Sequence, residues 1–243
     1  MPAEPAAIEL LERPDVGRVV ERARKVRLGD VDRVGRLRLD ATARYLQDIA
    51  TDDADDAGLD RRFGWLVRRT LVRLDQPATL GEQLQLATWC TGIGRSWAER
   101  RTELRGDKGA AIDTVSLWVQ IDVTTGRPAT IGDDFTAAYA EACDGRRVSA
   151  RLALGAGPDD DSTERPWTVR SIDLDPFDHV NNAATWAIAE DAFDLGERRG
   201  IAELEYPQPI NADADHRLAV HGDQCWLIEN GTVAAVSRWT PAN

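Results

Sequence analysis

Apolar positions along the chain follow two periods in turn. From about Asp40 to Ala57 they recur at helical spacing, with Ala41, Tyr45, Leu46 and Ile49 on one face. Strand-like runs follow at residues 65–74, 83–92, 96–104 and 111–122, broken by Pro77, Gly81, Gly94 and Gly106. A second helical pattern, from about Asn182 to Arg199, carries Ala183, Trp186, Ala187, Ile188, Ala189 and Phe193. It too leads into strand-like runs, at 203–206, 217–221, 224–229 and 232–239, and the Asn230-Gly231 pair between the last two reads as a hairpin turn. Either helix would be about 25 Å long at 1.5 Å per residue, enough to cross a small sheet.

The two halves are also related residue by residue. Val26, Arg27, Asp30, Asp32, Ala41, Thr42 and Asp48 fall opposite Val169, Arg170, Asp173, Asp175, Ala184, Thr185 and Asp191 without a gap. The pattern predicts an α+β protein of two tandem domains, each a long central helix wrapped by an antiparallel sheet. The N-terminal domain with its extension is expected at 1–148, a linker at 149–166, and the C-terminal domain at 167–243. The linker assignment rests on the Gly155-Ala156-Gly157-Pro158 break and the Asp159-Asp160-Asp161-Ser162 run, which fits no calcium loop and reads as solvated.

A net charge of −12 argues against wrapping nucleic acid or lying on an anionic bilayer. Residues 61–108 nonetheless concentrate arginine, including Arg68, Arg69, Arg100 and Arg101, where an acidic partner could dock. The N-terminal stretch has neither a basic leader nor an apolar core, and no run approaches the roughly 20 apolar residues of a membrane span, so a cytoplasmic protein without membrane contact is expected. Cys90, Cys143 and Cys225 lack metal spacing, and His216 and His221 have no ligand-spaced partner, so no metal and no cofactor are expected.

The richest chemistry lies in Asp173 to Asn182, DLDPFDHVNN, immediately before the second helical pattern. Asp175 and His179 stand four residues apart, Asn181 and Asn182 are good N-cap residues, and the N–H groups of a following helix could face a developing oxyanion. These are parts that acyl transfer uses. No G-x-S-x-G elbow, glycine-rich phosphate loop or H-E-x-x-H segment competes with them.

Here the chain resembles the acyl-ACP thioesterases of plants and bacteria, built as two tandem hotdog domains. Trp65-Leu-Val-Arg-Arg-Thr, Gly81-Glu-Gln-Leu-Gln-Leu-Ala-Thr-Trp89, Arg100-Arg101 and Val115-Ser-Leu-Trp-Val119 follow the order of the family's first domain, and DLDPFDHVNN is similar to its second-domain active-site segment. The resemblance implies a double hotdog that hydrolyses fatty acyl thioesters, with Asp175, His179, Asn181 and Asn182 catalytic. It implies further that Trp65, Val67, Phe177 and Trp186 meet the acyl chain, and that Arg68, Arg69, Arg100 and Arg101 dock the carrier.

Two positions depart from the family pattern: Phe177 replaces its Asn, and Gln208-Pro209-Ile210 replaces its Arg-Glu-Cys. The first copy retains Asp32 but has Arg36 opposite His179, which predicts one active site per chain. Acyl carrier protein is the expected carrier. Acyl-CoA hydrolysis and a non-catalytic acyl-binding role stay open, as do chain length and oligomeric state, with a homodimer among the options.

Overall fold

The structure, a computed structural model, describes residues 8–155, 157–196 and 198–242. Among these, the first half comprises β1 (Val19–Lys25), α1 (Leu39–Asp56), β2 (Phe63–Gln76), β3 (Gln83–Ile93), β4 (Trp97–Gly106), β5 (Ala111–Asp122) and α2 (Asp133–Cys143). The second comprises β6 (Thr163–Pro166), α3 (Asn182–Thr185), α4 (Ala187–Ala192), β7 (Gly200–Glu205), β8 (His216–His221), β9 (Gln224–Glu229) and β10 (Thr232–Pro241). The strands form one antiparallel ten-stranded sheet in the order β1-β3-β4-β5-β2-β7-β10-β9-β8-β6. Read from either edge, the order of equivalent strands is the same. The two halves meet where β2 pairs with β7, from Arg69 opposite Glu205 to Leu74 opposite Gly200.

The α1 stripe turns inward as its periodicity requires, burying Leu39, Ala41, Tyr45, Leu46 and Ile49. One core holds them together with Leu84 and Leu104 of the first half and Leu204, Leu218 and Leu227 of the second. The chain end of β9 turns back through Asn230 and Gly231 at φ of 48° and 81°, the two left-handed residues that a two-residue hairpin needs.

The second helix departs from expectation. In place of one helix from Asn182 to Arg199 there are two short pieces, with Trp186 between them, and the backbone is extended by Phe193. Asp194 accepts the Gly196 N–H at 3.0 Å, a local turn that competes with helix, and Arg198 adopts a left-handed φ of 58°. This unwinding lets Arg198 turn back onto Glu190 and onto Asp32 of the first half. Glu190 also caps α1, accepting the Leu39 N–H at 2.6 Å where Arg38 offers no side-chain cap. Glu190→Ala is therefore expected to lower stability by about 2 kcal/mol, through the lost cap and the lost charged hydrogen bonds. A urea melt would measure this, and a wild-type midpoint would refute it.

The segment expected as a linker is not free of the domains. Ala153 and Leu154 donate their N–H groups to the buried Glu205 carboxylate at 2.7 and 2.9 Å, and Leu154 packs with Ala219, Trp226, Ile228 and Val236. The expected linker also contains β6, which pairs with β8.

Candidate active site

Asp175 lies in a loop that folds on itself. Its backbone N–H donates to the His179 carbonyl at 2.8 Å, and its carbonyl accepts from Asp178 at 3.1 Å. Its Oδ1 accepts the N–H groups of Phe177 at 2.9 Å and His179 at 3.2 Å. The loop is pinned to the body of the protein by the Val180 N–H on the Ile210 carbonyl at 2.9 Å. The first copy reproduces this framework. Asp32 Oδ1 accepts from Val34 at 3.0 Å and Arg36 at 2.9 Å, and Leu37 donates to the Ala78 carbonyl at 2.8 Å. Gly35 and Asp178 take the same left-handed step, φ 84° and 64°, which Asp tolerates better than most residues.

The two copies diverge at the other carboxylate oxygen. Asp32 Oδ2 is engaged by Arg198 Nε at 3.0 Å and faces Arg36 Nε at 3.4 Å. Burial works to raise the Asp32 pKa, but the Arg36 N–H and the Arg198 guanidinium outweigh it and hold the carboxyl below its usual range. Arg198 thus fills the first site with an ion pair. Asp175 Oδ2 makes no hydrogen bond to the described residues, and Asp175 lines a cavity of about 420 Å³.

The α1 side of this cavity presents Gln47, Ala50, Thr51, Ala54 and Asp55. Trp65, Leu66, Trp118 and Phe135 supply aromatic and apolar walls, and Trp65 stacks at a tilt on Phe135 with centroids 4.9 Å apart. Asn181 and Asn182 complete the end near Asp175. Asn181 caps α3, its Oδ1 accepting the Ala183 N–H at 2.8 Å. Asn182 has its carbonyl held by the Tyr206 hydroxyl at 2.7 Å, while its side-chain amide makes no hydrogen bond to the described residues.

Among the residues expected to meet the acyl chain, Trp65 and Phe177 line the cavity, Phe177 being 64% exposed. Val67 and Trp186 do not. They are buried in the main core and border a separate cleft of only about 10 Å³, because the short second helix presses Trp186 against α1. The His179 ring is likewise outside the cavity lining, and its hydrogen bond to Asp175 is made by the backbone N–H.

The expected basic docking surface is also corrected. Arg69 and Arg101 are buried, Arg69 facing Glu99 at 3.7 Å and Arg101 bonded to Asp113 at 2.9 Å. Arg100 donates to the buried Asp53 at 2.5 Å, and Arg68, at a bulge in β2, donates to the carbonyls of Tyr206 and Pro207 at 2.7 Å. The physical reason is that β2 and β4 lie inside the sheet, and other segments cover them: Leu11 and Arg151 both accept hydrogen bonds from these arginines.

Gln47, Asp53 and Arg198, absent from the sequence expectations, are among the residues that join the site or its frame. The internal repeat carried a signal for two of them, since its register sets Gln47 opposite Glu190 and Asp55 opposite Arg198. Those pairs occupy corresponding places, polar around Asp175 and ionic around Asp32.

Comparison with known proteins gives the family. The family model for the acyl-ACP thioesterase N-terminal domain matches residues 17–139, and that for the C-terminal domain matches residues 156–223. An uncharacterized protein of Mycobacterium tuberculosis is 33% identical over 180 residues, covering 74% of this chain and 72% of its own length. Two solved structures share the fold. The 12:0-ACP thioesterase of Umbellularia californica has a TM-score of 0.73 and 22% identity, covering 92% of this chain and 98% of its own. An acyl-ACP thioesterase of Bacteroides thetaiotaomicron has a TM-score of 0.74 and 19% identity, covering 91% and 96%.

Proposed function

The chain belongs to the acyl-ACP thioesterase family and is a thioester hydrolase, and from that premise we propose that it releases fatty acids from acyl carrier protein at a single site built on Asp175. The observation that carries this reading is that Asp175 Oδ2 makes no hydrogen bond to the described residues and Asp175 lines a cavity walled in part by Trp65, Leu66, Trp118 and Phe135, while the equivalent oxygen of Asp32 is occupied by Arg198. Asp175 Oδ2 takes a proton from water as the water oxygen attacks the thioester carbonyl. The Asn182 and Gln47 amides, both at the cavity wall, supply N–H groups toward the developing oxyanion. Collapse of the tetrahedral intermediate breaks the C–S bond, and the proton held by Asp175 passes to the departing thiolate. Water and acyl thioester thus become free acid and carrier thiol.

His179 and Asn181 serve by position in this scheme: one holds Oδ1 through its N–H, the other fixes the start of α3. His179→Ala keeps this backbone N–H and is expected to leave kcat within a few fold of wild type, far above Asp175→Asn, and Arg36→Ala at the equivalent first-copy position leaves kcat near wild type. Equal large losses in both variants, at unchanged melting temperature, would contradict the single-site assignment.

A second reading, acyl-CoA hydrolysis, is favoured by Phe177 and Ile210. Phe177 stands, 64% exposed, where the family carries Asn, Pro209 replaces the family's second carboxylate, and Ile210, buried in the core, replaces its thiol. A single carboxylate then does the proton transfers. With Arg69 and Arg101 buried, attraction of an acidic carrier falls to exposed side chains such as Arg61 and Arg62, 86% and 81% exposed. Thiol release from acyl-ACP and acyl-CoA of matched chain length separates the two readings: a higher, salt-sensitive kcat/KM on acyl-ACP supports the carrier protein, and a higher, salt-insensitive value on acyl-CoA favours the coenzyme.

A further inference from the structure

Two openings beside α1 share part of their walls. The cavity at Asp175 and the narrow cleft of about 10 Å³ have Gln47, Trp118 and Asn182 in common, and no other described residue lines both. Each of the three carries a side-chain N–H donor. Gln47 is bonded to Thr51 through its backbone carbonyl at 2.9 Å and Asn182 to Tyr206 through its own at 2.7 Å, so both side-chain amides are left to the junction. Trp118 stands on β5 opposite Val67 of β2, and its Nε1 is buried with no hydrogen-bond partner among the described residues. The other polar groups of the cleft are engaged elsewhere: the Thr70 and Ser116 hydroxyls are bonded to each other at 3.0 Å, and the Tyr206 hydroxyl donates to the Asn182 carbonyl.

A buried donor left without an acceptor is costly, and native proteins rarely keep one. The cleft has room for about one oxygen-sized atom. The first copy places this spot relative to Asp175. There Glu190, the counterpart of Gln47, and Asp32, the counterpart of Asp175, are bridged by a single guanidinium, since Arg198 reaches Glu190 at 2.8 Å through Nη1 and Asp32 at 3.0 Å through Nε. The correspondence holds in contacts as well: Glu190 meets the Leu39 N–H, and Gln47 shares the cleft with Asn182, the counterpart of Leu39. The Gln47 amide therefore lies about one planar group away from the Asp175 carboxylate, a gap that a thioester carbonyl and its attacking water can span.

We infer that Trp118 is a further catalytic donor: its indole N–H, together with the Gln47 and Asn182 amides, receives the thioester carbonyl oxygen at the mouth of the cleft and holds the oxyanion that forms there. The carbonyl π pair moves onto this oxygen as water attacks and returns as the C–S bond breaks, so the indole gives up no proton. An oxyanion accepts a stronger hydrogen bond than a neutral carbonyl does, so the donor acts on kcat more than on KM. The reaction in this inference rests on the hydrolase reading above; the carbonyl site rests on the cleft and its donors.

The test removes the N–H and little else. Trp118→benzothienylalanine, introduced site-specifically in the full chain, keeps the shape of the ring and puts sulfur in place of the N–H, and Trp118→Phe is made beside it. Turnover of fatty acyl-ACP and acyl-CoA is measured with melting temperature. Two probes are titrated calorimetrically: an alkylthio trifluoromethyl ketone, whose hydrate copies the tetrahedral intermediate, and the matching alkyl thioether, which has no carbonyl. Loss of one oxyanion donor predicts kcat lower by about 10²-fold with KM within about twofold, and weaker binding of the ketone but not of the thioether. Unchanged kcat in the folded variants, or equal loss of affinity for both probes, would overturn the role of Trp118 and leave the hydrolase reading intact. If the wild type hydrolyses no thioester, the hydrolase reading falls, and the carbonyl site stands only where the variant loses affinity for the ketone alone.

Discussion

Asp175→Asn should lower kcat by about 10²- to 10⁴-fold, the range expected for a positioned general base, while the protein melts at the wild-type temperature. The structure explains why the two effects separate. Everything that holds residue 175 in place goes through the backbone and Oδ1, which accepts from Phe177 and His179, and an asparagine oxygen can accept the same two bonds. Only Oδ2 changes, from a proton acceptor to an amide N–H. Steady-state kinetics beside a thermal melt decide the matter: full turnover by a well-folded variant would remove Asp175 from the chemistry.

The largest stability effect should come from Asp53→Asn. This carboxylate is 1% exposed, and it receives Arg18 at 2.6 Å, Arg100 at 2.5 Å and the Tyr139 hydroxyl at 3.0 Å. Neutralising it leaves Arg100 almost fully buried without its counter-charge, whereas Arg18, 23% exposed and also paired with Asp56, retains partial compensation. Breaking a buried pair in this way costs about 3 kcal/mol at the lower end of the usual range. For a chain of this size the loss corresponds to a melting temperature lower by roughly 6 to 12 °C. A variant melting within a degree or two of wild type would show that the two arginines find other compensation.

How far the sequence already contained this picture depends on the range over which each feature is determined. The α1 stripe and eight of the strands announce themselves by local period, and their observed limits fall within a few residues of the expected ones. The double hotdog follows from that pattern, the repeat and the family resemblance. The edge strand β1, VVERARK, is dominated by charge and has no clean alternation, and every residue of β6 is exposed, so neither carries a burial signal. The α2 helix did carry one, with Phe135, Tyr139 and Cys143 at four-residue spacing on its buried face, yet short alanine-rich segments leave the choice of element ambiguous.

That Asp175, Asn181 and Asn182 come together at one cavity was legible because the segment that carries them is continuous, and the loop that holds Asp175 is built from its own neighbours. Burial of Arg69 and Arg101 was not legible, because the covering groups are supplied from distant parts of the chain, around Leu11, Asp113 and Arg151. The broken second helix was hidden for a related reason: its unwound end is tied to Asp32, 166 residues away from Arg198.

The central claim is that one of two equivalent carboxylates does the chemistry and that the other is held in an ion pair. Thiol release from a fatty acyl-ACP, measured side by side for the wild-type chain, Asp175→Asn and Asp32→Asn, tests it most directly. The account predicts turnover by the wild type, near-complete loss in Asp175→Asn, and turnover close to wild type in folded Asp32→Asn. Comparable loss in both variants at retained fold, or loss in Asp32→Asn alone, would contradict it.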